Sequence, residues 1–215
     1  MKVTIVGAGS MARGIGTRVL AGGSSVELVH ADAGKAADLA AQLEQGTPGA
    51  TVSTTVLGEP VTGEIVVLAV PYEAVPAVVR SCGPSLAGVV VVDITNPVDW
   101  QTMDRLTTPP GVSAAEQTAE IVPDGVHVVK AFNTTFAGPL TAGSVAGHPL
   151  DVFIAGDDTR AKDRIAELVT AGGLRCIDVG ELRRARELEA FQLLHIRLQG
   201  TLGTGYGSAL KLMHE

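Results

Sequence analysis

Short, uninterrupted apolar runs alternate along the chain with longer stretches in which apolar residues recur every three or four positions. The runs at 2–6, 26–29, 64–70, 89–94, 126–130, 151–155 and 174–178 are rich in valine and isoleucine and read as strands. Helical periodicity marks 10–21, 34–45, 72–81, 113–121, 159–170 and a long segment at 181–199. A strand that is apolar on both sides needs cover on both faces, so the pattern predicts a doubly wound, mostly parallel α/β sheet between layers of helices. In the last helix Leu182, Leu188, Phe191, Leu194, Ile196 and Leu198 stand among charges, an amphipathic pattern expected to dock on the body or on a second subunit. The glycine- and proline-rich stretch at 143–149 reads as an exposed turn. It divides a larger domain at 1–145 from a small C-terminal helical cap at 146–215, expected to pack on that domain and on a dimer partner.

The most informative chemistry opens the chain as V-G-A-G-S-M-A-R-G, directly after a strand and before an alanine-rich helix. In that context Gly7 makes the tight turn, Gly9 lets the backbone approach a pyrophosphate, and Ala12 packs the new helix on the strand. The N–H groups of Ser10 and Met11 would then face the phosphates, with Ala8 between the two glycines. This is the signature of a Rossmann-type dinucleotide site. Nucleotide choice is usually decided at the end of the second strand, where the chain reads L-V-H-A-D-A-G-K from Leu28 to Lys35. Asp32 pointing into the site would repel a 2′-phosphate and select NAD; Asp32 capping the next helix would leave His30 and Lys35 to serve that phosphate. Both arrangements are compatible with the residues.

Three further strand ends carry polar or aromatic residues where ligands gather in open α/β sheets. Ala69, Pro71, Tyr72 and Val75 follow one strand, with Tyr72 able either to stack on a ring or to start a helix half-buried. Asn96 and Val98 follow the next, in what could equally be an ordinary turn. From the end of the strand at 126–130 onward, Lys130, Asn133 and Ala137 belong to a polar shelf where a nicotinamide could lie, Lys130 being either its one positive charge or a solvated edge lysine. No H-E-x-x-H or G-x-S-x-G is present, and His195 reads as a partly buried packing residue rather than a base. His127, His148 and His214 read as surface or turn residues.

Composition narrows the classes further. Over 215 residues, 16 basic against 23 acidic side chains give a net charge of −7, and only 3% of residues are aromatic, which disfavours a nucleic-acid partner. No apolar stretch approaches the roughly 20 residues of a membrane span. Cys82 and Cys176 lack metal-ligand spacing and read as reduced thiols. Together with an N-terminus that has no signal-peptide pattern, they give a cytoplasmic protein as the expectation.

The ordered blocks V-G-A-G-S-M-A-R-G, L-A-V-P-Y-E-A, V-D-I-T-N-P, V-K-A-F-N-T-T-F, A-G-D-D, L-R-R-A-R-E-L-E and G-Y-G-S-A-L-K-L resemble the NADPH-dependent coenzyme F420 reductases along the whole chain. The V-K-A-F-N-T block is also similar to the oxidoreductase domain of the STEAP metalloreductases. The resemblance implies a homodimer in which a hydride passes between the nicotinamide of NADP, or of NAD, and the deazaflavin ring of F420. It implies nucleotide contacts at Ala8, Gly9, Ser10, Met11, His30, Ala31, Lys35, Tyr72, Val98 and Ala137. Three positions depart from the family. Ala31 and Asp32 stand where NADP-using members carry arginine, and Asn133 stands where archaeal members carry histidine. A reductase of small imines or carbonyls, with Lys130 or Tyr72 as proton donor, and a non-catalytic nucleotide-binding protein are the rival expectations.

Overall fold

The computed structural model describes residues 1–213; His214 lies outside the described residues. The first half is a run of βα units: β1 (Lys2–Val6), α1 (Ser10–Ala21), β2 (Ser25–His30), α2 (Ala33–Gly46), β3 (Val52–Val56), β4 (Ile65–Leu68), α3 (Val75–Cys82) and β5 (Val90–Asp93). The second half holds α4 (Ala114–Ile121), β6 (His127–Lys130), α5 (Ala137–Ala142), the two-residue strands β7 (Ser144–Val145) and β8 (His148–Pro149), β9 (Asp151–Gly156), α6 (Thr159–Ala171), β10 (Arg175–Asp178) and α7 (Ala185–Leu202).

One eight-stranded sheet runs in the order β10-β9-β6-β5-β4-β1-β2-β3. Pairing from β3 through β6 is parallel throughout. The order reverses at β1, and the crevice beyond the carboxyl ends of β1 and β4 is the place where such sheets bind ligands. Every residue of β4 and β5 is buried, which is why these strands read as unbroken apolar runs. One face packs Ile5, Leu28, Val67 and Val92 against Ile15 and Ile165 of the helices. The other packs Val6, Val66 and Val91 against Val78 and Leu182.

The chain beyond 145 adds two strands to the main sheet. The 143–149 stretch is a tight β7–β8 hairpin. β9 then joins the main sheet antiparallel to β6 through Val129–Gly156 and Lys130–Ala155, and β10 extends it. Glycine and proline mark a turn in either case, and whether a turn separates domains depends on long-range pairing that local composition does not encode. The short α5 and the edge strand β3 are additions to the predicted elements. In β3, Ser53, Thr54 and Val56 are exposed, so it carries no apolar run.

The apolar set predicted for the terminal helix is split between the body and the surface. α7 buries Glu189, Gln192, His195 and Gln199 together with Leu188 and Ile196, while Phe191, Leu194, Leu198 and Leu202 are 42%, 54%, 38% and 57% exposed. His195 is buried, its ring centroid 4.4 Å from that of Phe136, with Nε2 2.8 Å from Ser208 Oγ. Burial lowers its pKa, so it packs as a neutral ring. His127 and His148 are exposed, as their sequence context indicated.

Candidate functional site

The glycine loop follows from two close approaches. Gly7 has φ +127°, and a Cβ built on it would lie 2.2 Å from the Ala69 carbonyl oxygen. Its N–H donates to Val29 O at 2.8 Å, closing the turn against β2. Only glycine fits both demands. Gly9 is different: it occupies the N-cap of α1 at φ −87°, with no side-chain cap, and a Cβ there would meet nothing within 4 Å. The helix therefore presents uncapped N–H groups to open space, the arrangement that receives phosphate. Ala12 is fully buried beneath, as close helix–strand packing requires.

At the end of β2, Asp32 caps α2: its Oδ1 accepts from Gly34 N at 2.9 Å and from Lys35 N at 3.3 Å. His30 Nδ1 accepts from the Asp32 N–H at 2.9 Å. Of the two sequence alternatives, the cap is the one adopted, and the carboxylate is held by the helix N-terminus. A cavity of about 380 Å³ beside the loop is lined by Ala8, Gly9, Ser10, Arg13, Lys35 and Asp38, among others. His30 and Ala31 are not part of its lining. Arg13 is the residue the sequence reading passed over, because it follows the glycine pattern instead of belonging to it.

On the other side of the loop a larger cleft, about 720 Å³, spans the carboxyl ends of β4, β5 and β6. Gly9, Ser10 and Met11 form its end at the glycine loop, and Ala69, Pro71 and Tyr72 one wall. Asn96, Asn133 and Ala137 form the floor and far wall; Trp100, Ile196 and Tyr206 form the outer rim. Among the described residues, no charged side chain lines it. Asn96 Nδ2 donates to Asn133 O at 2.9 Å, and Asn133 Nδ2 donates to Asn96 Oδ1 at 3.0 Å. The first bond fixes which way Asn96 faces, which in turn leaves Asn133 Oδ1 buried without a donor. Just before it, Phe132 sits at φ +59°, a left-handed conformation that costs a bulky residue on the order of 1–3 kcal/mol. Tyr72 donates its hydroxyl to Gln117 Oε1 at 2.6 Å, and burial, with the nearby Glu189 and Glu73 charges, raises its pKa.

Of the candidates at the carboxyl ends of β4, β5 and β6, three, Val75, Val98 and Lys130, fall outside the cleft. Val98 is 2% exposed and packs with Phe136 and Ile196. Its N–H bonds Asn96 O at 2.8 Å, a three-residue turn that rotates Val98 away from the rim. Val75 is 3% exposed and faces the core from α3.

Lys130 is neither a solvated edge residue nor a group at the nicotinamide shelf. It is fully buried, 3.0 Å from Asp93 Oδ1 and 2.8 Å from Glu189 Oε1, and it also donates to Thr95 O. Asp93 further accepts from Thr118 Oγ1 at 2.6 Å and from Thr95 N at 2.8 Å, and Glu189 accepts from Ala114 N at 3.0 Å at the start of α4. Burial opposes the Lys130 charge, but the two carboxylates outweigh it and raise its pKa. Burial likewise works against the Asp93 anion, yet Lys130 and the hydrogen bonds hold its pKa below the usual range. At Glu189 burial prevails and its pKa is raised. The triad clasps α7, α4 and the ends of β5 and β6 together directly behind Thr95 and Asn96.

Several known proteins resemble this chain. Residues 2–97 match the family model "NADP oxidoreductase coenzyme F420-dependent". The chain is 33% identical over 192 residues to rat metalloreductase STEAP3, covering 89% of this chain but about a third (36%) of that protein's length. It is 30% identical over 212 residues to the F420-dependent NADP reductase of Methanothermobacter marburgensis, covering 92% of each chain. Among solved structures, a protein from Arthrobacter sp. FB24, provisionally named an F420-dependent NADP reductase, superposes over the full length of both chains with a TM-score of 0.85 at 28% identity.

Proposed function

The chain belongs to the family of F420-dependent NADP reductases, and from that premise we infer that it is an oxidoreductase moving a hydride between NADP(H) and the deazaflavin ring of coenzyme F420. The observation that carries this reading is the uncharged cleft that starts at the glycine loop and ends between the Asn96–Asn133 pair and the Trp100–Tyr206 rim. The nicotinamide and the deazaflavin supply the donor and acceptor carbons. Direct transfer between two stacked rings needs orientation and exclusion of water, and no side-chain acid, base or nucleophile.

The residues present suit those tasks. Gly7, Ala8, Gly9, Ser10 and Met11 offer close backbone approach and uncapped N–H groups to the pyrophosphate. Ala69, Pro71, Asn96 and Ala137 form the walls of the nicotinamide end, and the unpaired Asn133 Oδ1 marks it as a polar end. Hydrogen bonding to Gln117 anchors the Tyr72 hydroxyl beside that space. The small-carbonyl alternative loses its strongest proton donor, since Lys130 is sealed behind the cleft.

With purified protein, NADPH absorbance is expected to fall when F420 is added and to stay constant without it. Turnover of a small imine or ketone, with none on the deazaflavin, would overturn the assignment.

We assign homodimerisation to α7. Its outward stripe of Phe191, Leu194, Leu198 and Leu202 follows helical spacing, and an apolar face of this kind on a protein of net charge −7 fits a second copy of itself. Replacing Leu194 and Leu198 together by glutamate is expected to give a 22.0 kDa particle by light scattering, against twice that mass for the parent chain. Equal masses would remove the stripe from the interface. Cytoplasmic residence belongs to the same reading, supported by the unpaired cysteines Cys82 and Cys176.

A further inference from the structure

The geometry points to Arg13, acting with Lys35, as the clamp for the nucleotide's 2′-phosphate and so as the residue that sets preference for NADP(H) over NAD(H). This rests on the dinucleotide reading above and adds to it the source of the charge.

Gly9 and Ser10 line both the large cleft and the smaller cavity. A pyrophosphate on the loop therefore has the nicotinamide half of the molecule in the cleft and the adenosine half over the cavity. That cavity is where the chain places two cations, one from the first turn of α1 and one from the first turn of α2. Most arginines and lysines of this acidic chain are already engaged in ion pairs. The Arg13 and Lys35 side chains are exceptions: among the described residues neither makes an ion pair, and no carboxylate competes within bonding distance for their N–H groups.

Two features complete the arrangement. Asp32, the residue able to repel a 2′-phosphate from the end of β2, has its carboxylate turned onto the N-terminus of α2. Among the described residues Asp38 is the one acidic residue on the cavity wall, so the balance there is one positive charge beyond neutrality, added to the positive end of α1. Arginine presents a planar set of donors that matches phosphate oxygens, which a lysine offers only as a point charge. Arg13 thereby supplies from α1 what Ala31 and Asp32 do not supply from the loop after β2.

Calorimetric titration of the full-length protein with NADPH and with NADH tests this. In Arg13→Ala the ratio of NADPH to NADH affinity should fall by roughly 10- to 100-fold, the size of one charge-assisted hydrogen bond. Arg13→Lys should recover part of it, and Asp38→Asn should raise the ratio. Arg80→Ala, which removes an exposed cation outside the cavity, should leave the ratio as it was. Arg13 is exposed, so folding of the variants is expected to be normal and is verified by thermal melting. An Arg13→Ala ratio equal to that of the parent, or a parent protein that prefers NADH, overturns the clamp while leaving a dinucleotide site in place. A parent protein that binds neither nucleotide overturns the functional reading and the clamp with it.

Discussion

Lys130→Met should lower the melting temperature by about 10 °C. The substitution leaves Asp93 and Glu189 facing each other in a region with no access to solvent, and removing one partner of a buried ionic cluster costs roughly 3–5 kcal/mol. For a domain of this length each kcal/mol corresponds to about 2–4 °C. The damage should centre on α7, because Glu189 is its tether to α4 and to the sheet. Nucleotide binding should weaken only as far as the fold does. Replacing the cluster as a unit, with Asp93→Asn, Lys130→Met and Glu189→Leu together, should recover part of the lost stability, since no charge is then stranded. A melting temperature unchanged in Lys130→Met, with hydride transfer abolished, would instead return Lys130 to the chemistry. The same cluster explains why the lysine is so deceptive in sequence. It ends an apolar strand, where lysines are commonly solvated, and its partners lie 37 and 59 residues away.

The second large effect is expected at the glycine loop, where two neighbouring glycines should fail differently. Gly7→Ala puts a methyl group 2.2 Å from the Ala69 carbonyl at a φ of +127°. Backbone strain and overpacking each contribute about 1–3 kcal/mol, so this variant should lose stability and nucleotide binding together. Gly9→Ala meets no protein atom within 4 Å and has an ordinary φ. It should melt with the parent protein and still lose affinity for NADPH, because its methyl group occupies the space through which phosphate approaches. Thermal melting and titration of the two variants side by side separate the roles. If Gly9→Ala binds NADPH as the parent does, the pyrophosphate does not lie on this loop.

Much of the architecture was legible in the residues. Unbroken valine and isoleucine runs become β4 and β5, buried on both faces, and the V-G-A-G-S block becomes the turn and helix start that its glycines require. Asp32 shows the limit of such reading. Capping and ligand binding demand the same side chain at the same place, and only the position of α2 decides between them. Val98 fails for a related reason: alternation from Asn96 puts it on the rim, and a single hydrogen bond within a three-residue turn takes it off again. Arg13 went unnoticed because its partner in the cavity, Lys35, comes from a separate helix.

The sequence by itself determined the strand and helix types, the glycine turn and the family, because periodicity, turn chemistry and motif order are local properties of the chain. Only the tertiary structure decided which polar residues face the cleft and which are sealed behind it. It also decided that α7 turns Glu189, its glutamines and His195 inward while Leu194, Leu198 and Leu202 face outward. Those outcomes depend on partners distant in sequence: a buried charge is tolerated where Lys130, Asp93, Glu189 and a helix N-terminus converge, and no local pattern reports that convergence.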